Sequence, residues 1–64
     1  MQELNEKELL IARYASEGMT AQEIADAMCL SLETVRWYRK RMLQKADARN
    51  FTELIAMLKD EKII

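Results

Sequence analysis

Sixty-four residues, a net charge of −1, one cysteine and no histidine bound the chain to one small domain. They leave no intramolecular disulfide, no Cys–His catalytic pair and no zinc ligand set. No apolar run approaches the ~18 residues of a membrane span, and no basic segment followed by an apolar stretch opens the chain. A cytoplasmic domain is expected, either a very small regulator or one domain of a longer protein.

With no proline, a single glycine and abundant Ala, Leu, Met, Glu, Lys and Arg, the composition favours helix throughout. The fold class expected is all-α, a single domain over residues 1–64 with helices at about 6–17, 21–28, 32–46 and 51–59. Asn5 is a good N-cap and Glu8 stands three residues on, as in a capping box; Gly18 supplies the stop. The inward stripe of this first helix reads as Ile11, Tyr14 and Ala15, with Leu10 at its edge. Glu8 falls on the same stripe and needs a partner, because an unpaired buried charge is costly. Leu9 is expected to point away, to solvent or to another domain.

Thr20-Ala-Gln-Glu23 is a capping box opening a short second helix, with Ile24, Ala25 and Met28 inward. Cys29 and Leu30 break it. Cys29 reads as a small buried hydrophobe at a turn position suited to glycine, where a positive φ costs about 1 kcal/mol. Ser31 caps the third helix. On a wheel at about 100° per residue, Val35, Tyr38, Met42, Leu43 and Ala46 share one arc. Glu33, Arg36, Trp37, Lys40, Arg41, Gln44 and Lys45 occupy most of the other. Arg39 lands in the apolar arc, so it is expected to snorkel or to pair with an acid from another helix. Glu33 is expected to pair with Arg36 along the helix. Asn50-Phe-Thr-Glu53 is a third box, opening a helix with Phe51, Leu54, Ile55 and Leu58 inward; the tail from Asp60 is expected to fray.

Charge is partitioned along the chain. Residues 36–49 hold Arg36, Arg39, Lys40, Arg41, Lys45 and Arg49 against Asp47 alone, while residues 1–35 set seven acids against Lys7 and Arg13. A basic stripe on one helix, with acid kept elsewhere, is the footprint of a surface that meets phosphates. A short helix, a tight turn and a long basic helix together describe a helix-turn-helix. Ile24, Ala25, Met28, Leu30, Val35 and Tyr38 sit where its core belongs.

Leu4-Asn-Glu-Lys-Glu8, Ile11, Glu17-Gly18, Glu23-Ile24-Ala25, Ser31, Thr34-Val35-Arg36, Lys45, Arg49-Asn50 and Thr52-Glu53 together resemble the LuxR/NarL-type (GerE-type) DNA-binding domain of bacterial transcription regulators. The resemblance runs without a gap from residue 4 to about 58. The chain departs from the family pattern with Leu9, Tyr38, Ala46-Asp47 and Phe51, where a polar residue, His, Leu-Gly and a basic residue are usual.

The resemblance implies sequence-specific binding of double-stranded DNA as a dimer, at a pseudo-palindromic operator, regulating bacterial transcription in the manner of a response-regulator effector domain. It implies that Arg36, Trp37 and Lys40 face base edges. Ser31, Thr34, Arg41 and Lys45 would meet phosphate, and the fourth helix would pair with its counterpart through Leu54 and Met57. It also implies a pairing of Glu8 with Lys45, in competition with the phosphate role. RNA polymerase is a further candidate partner. Arg can grip guanine bidentately; Trp37 cannot, but can pack on a thymine methyl. Two other readings stay open: a sigma-factor-like promoter-reading domain, and a helical protein-interaction module that does not bind DNA. No enzyme, cofactor, metal or small-molecule ligand is expected, since no nucleophile–base pair or phosphate-cradling loop is present.

Overall fold

A computed structural model describes residues 3–64, so Met1 and Gln2 of the expected 1–64 domain lie outside the described residues. The elements in order are α1 (Glu6–Ser16), α2 (Ala21–Met28), α3 (Leu32–Ala46) and α4 (Phe51–Asp60). The all-α expectation holds, with boundaries within one residue. Glu17 is the C-cap of α1 rather than its last turn, and Asp60 belongs to α4.

Each helix starts on a side-chain cap. The Asn5 side chain accepts from the Glu8 amide while Glu8 accepts from the Asn5 amide, and Thr20 and Glu23 repeat the exchange. Ser31 and Asn50 cap α3 and α4 through the amides of Thr34 and Glu53. Each such cap satisfies a helix-end donor and contributes about 1 kcal/mol.

All the helices also end alike. Gly18, Cys29, Asp47 and Lys62 have left-handed backbones, with φ of 91°, 57°, 55° and 58°. In each case the next residue's amide reaches back, as Met19 to Tyr14 O, Leu30 to Ala25 O, Ala48 to Leu43 O and Ile63 to Leu58 O. This is the Schellman closure. The tail is therefore closed rather than frayed, and Ile64 packs against the core.

α1 and α3 form a central pair, each packed along all the other helices, while α2 and α4 flank them with no close approach of their backbones. The buried apolar set is Leu4, Ile11, Ala12, Ile24, Ala25, Val35, Met42, Ala46, Leu54 and Leu58. The core-facing stripe of α1 is turned from the expected one. Glu8, Ile11 and Ala12 are buried, Tyr14 and Ala15 half-buried, and Leu10 exposed. The expected stripe followed the bulky residues, whereas a fully buried alanine marks close helix approach, which small side chains permit. Leu9 is not turned away but packs against the core. Leu4 and Leu9 stand at the N′ and N4 positions of a hydrophobic staple, which draws Leu9 inward.

Two further expectations change. Cys29 is exposed, not buried, because the left-handed turn lifts it off the inner face of α2. Arg39 finds an aromatic ring instead of an acid: its guanidinium carbon lies 4.5 Å from the centroid of Phe51. The aromatic residue standing where a cation is usual thus closes the α3–α4 junction.

Candidate nucleic-acid interface

Glu33, Arg36, Trp37, Lys40, Arg41 and Gln44 are all exposed, and their spacing of three and four residues places them on one face of α3. Behind them Val35, Met42 and Ala46 are fully buried. The buried row fixes the rotation of α3, so the basic row must point outward. Trp37 is 54% exposed, an unusual position for a side chain with so much apolar area to bury.

The indole is braced from two sides. Its ring meets Tyr38 edge-on, with centroids 5.1 Å apart at 71°, and the Arg41 guanidinium carbon sits 5.2 Å from its centroid. That distance is within cation–π range. Trp37 stands as a ridge between two shallow clefts, one lined by Ser31, Glu33 and Thr34, the other by Lys40, Arg41 and Gln44.

At the N-terminal end of α3 the Ser31 and Thr34 hydroxyl oxygens are 2.8 Å apart, and Ser31 Oγ accepts from the Thr34 amide at 3.1 Å. Whichever hydroxyl donates in the pair, the other keeps its own O–H. That free donor lies where the helix dipole favours an anion.

The remaining members of the expected set are arranged differently. Lys45 turns inward: its Nζ is 2.7 Å from Glu8 Oε1, and its side chain is only 14% exposed. This is the pairing implied by the family resemblance, tying α1 to the last turn of α3. Glu8 Oε1 also accepts from the Asn5 amide at 2.9 Å. Glu8 Oε2 is buried with no hydrogen-bond partner, and Arg41 Nε stands 4.0 Å from it. Among the described residues the ion pairs are those Glu8 makes with Lys45 and Arg41, so the expected Glu33–Arg36 pair is absent and both side chains remain exposed. Leu54 is fully buried in the monomer and offers no surface to a second copy. It sits on the core stripe of α4, where the i, i+4 spacing with Leu58 had already placed it. Met57, on the flank, is half-buried.

The structure thus brings Ser31, Thr34, Arg36, Trp37, Lys40 and Arg41 to one surface, with Lys45 behind it and Leu54 and Met57 on another helix. Gln44, absent from the expected contact set, joins the cleft beside Lys40 and Arg41. Its place on the exposed arc of the wheel was the available signal.

Comparison with known proteins bears on this surface. Residues 2–58 match the family of bacterial regulatory proteins, luxR family. The chain is 41% identical over 56 residues to the virulence-factor regulator BvgA of Bordetella pertussis, covering 88% of this chain and 27% of that protein. It is 37% identical over 54 residues to the tetrathionate response regulatory protein TtrR of Salmonella typhimurium, covering 84% and 26%. It is 28% identical over 60 residues to the DNA-binding transcriptional activator EvgA of Escherichia coli K12, covering 94% and 29%. The chain spans little more than a quarter of the length of these relatives.

Proposed function

The chain belongs to the luxR family of bacterial regulatory proteins as a DNA-binding, transcription-regulating domain, and on that premise we propose that the outer face of α3 lies in the major groove and reads a specific site. The observation that carries this reading is the single exposed row Arg36, Trp37, Lys40 on a helix whose opposite face is buried. Family and relatives alike are transcription regulators rather than enzymes.

In this reading Arg36 donates bidentately to a guanine, Lys40 to a neighbouring acceptor, and Trp37 packs on a thymine methyl. Ser31 and Thr34 hold the phosphate at the start of α3, and Arg41 is the remaining cation near the backbone. Lys45, engaged with Glu8, leaves the contact set. Two copies pair through the outer flank of α4, with Met57 rather than Leu54 at the contact. Their recognition helices then read half-sites of a pseudo-palindrome about one helical turn apart, ~34–36 Å. The partners are double-stranded DNA, a second copy of the chain and, through regulation, RNA polymerase, all in the cytoplasm. Among the described residues no helix is long and apolar enough to cross a membrane.

The test is selection of bound duplexes from a random pool, followed by a mobility-shift titration over a range of salt. A selected, two-fold-related sequence with binding that falls steeply with salt supports the reading. Absence of enrichment together with salt-independent binding contradicts it.

A further inference from the structure

The geometry points to Arg41 as a positioning residue for Trp37, held by the buried carboxylate of Glu8 so that the indole stands upright and reads a thymine methyl. This rests on the proposed DNA reading but assigns Arg41 a different task from phosphate contact.

Three observations carry it. Trp37 and Arg41 are one helical turn apart, on neighbouring sites of the same face, and the guanidinium lies 5.2 Å from the indole centroid. The same guanidinium reaches the other way, with Nε 4.0 Å from Glu8 Oε2. That oxygen is buried and accepts no hydrogen bond, and Lys45 is bound to its sister oxygen. Arg41 is therefore the cation beside the unsatisfied half of a buried carboxylate. Drawing it away to a phosphate would leave that oxygen with less compensation, which is costly in a dry site.

Arginine suits the task because its planar face stacks on an aromatic ring while its edge pairs with a carboxylate. The side chain is 49% exposed, so it lies along the surface as a brace and is not sealed in the core. Tyr38 supplies the second brace, edge-on to the same indole. An exposed tryptophan held from two sides loses little freedom on binding, and such preorganisation favours affinity and selectivity.

The experiment compares the wild-type chain with Arg41→Lys and Arg41→Gln. The chain has a single tryptophan, so fluorescence anisotropy of the free protein reports on Trp37 alone. Binding is then measured on a duplex selected by the wild-type chain, with each thymine in turn replaced by deoxyuridine. Wild type is expected to lose about fourfold at one thymine, the worth of one buried methyl-sized group. Lysine keeps the charge but has no planar face, so Arg41→Lys is expected to keep the salt slope, lower the anisotropy and erase the thymine preference. Arg41→Gln is expected to do the same to anisotropy and preference.

Wild-type anisotropy in both variants would overturn the proposal. So would a salt slope reduced by about one in Arg41→Gln with the thymine preference intact, the result of a plain phosphate contact. A chain that selects no duplex would remove the DNA reading and the specificity role with it, while the anisotropy would still decide whether Arg41 positions the indole.

Discussion

Glu8 and Lys45, thirty-seven positions apart, meet at 2.7 Å and lock the first turn of α1 to the last turn of α3. Glu8 is fully buried, and the same oxygen that accepts the hydrogen bond from Lys45 also closes the cap of α1. Removing Lys45 strands a buried carboxylate, whereas removing both charges does not. Lys45→Met is expected to cost about 3 kcal/mol, and the double variant Glu8→Gln/Lys45→Met less than the sum of the singles. Urea unfolding of the four proteins checks this; additive losses would show that the pair is not coupled.

Arg39 and Arg36 differ in what they touch, although both belong to the basic segment. Arg39→Ala removes the cation over Phe51 and is expected to lower stability by about 1 kcal/mol with little change in DNA affinity. Arg36→Ala is expected to leave stability within about 0.5 kcal/mol, weaken binding by about 1–3 kcal/mol and relax selectivity at one base pair. Denaturant melts paired with mobility shifts on permuted sites separate the two. Equal losses of affinity would show that charge, not placement, governs binding.

The turn of the helix-turn-helix carries strain that a substitution can relieve. Cys29 holds φ of 57° with its side chain exposed, so Cys29→Gly removes the left-handed penalty without loss of packing. A gain of up to about 1 kcal/mol is expected, which for a domain of this size corresponds to roughly 4–8 °C in Tm. Cys29→Val, β-branched at the same φ, is expected to lower Tm. Calorimetry reads both, and a Tm drop in Cys29→Gly would contradict the account of the turn.

What was legible in the sequence was what local chemistry dictates. The caps Asn5, Thr20, Ser31 and Asn50 set every helix start, and Gly18 the end of α1, to within a residue. The exposed arc of α3 followed from periodicity alone. One difference arises where a residue's surroundings come from another element: Arg39 finds Phe51 across the α3–α4 junction. Leu9 differs for a local reason, since its N4 position opposite Leu4 at N′ turns it to the core. The closure at Lys62 used a residue with no turn signature. Spacing fits Leu54 both to the core and to a dimer contact, and only packing separates these, since spacing fixes a face without saying what covers it.

Lys45 invites a related comparison with Lys40. Lys40 is exposed on the α3 face, whereas Lys45 is folded onto Glu8. Lys40→Gln is expected to weaken binding and relax selectivity at one base pair, and Lys45→Gln to leave both affinity and the slope of log K against log salt unchanged while lowering stability. A slope lowered by about one in Lys45→Gln would place Lys45 on the phosphate backbone after all.

The most direct test of the recognition surface is titration of a selected duplex into the isotopically labelled chain, following each backbone amide by NMR. The expected result is that the largest shifts fall on Ser31, Thr34, Arg36, Trp37 and Lys40, with the Trp37 indole N–H among them, while the amides of α1 move little. Shifts concentrated on α1 or the flank of α4, with this row of α3 unmoved, would contradict the assignment of α3 as the helix that reads DNA.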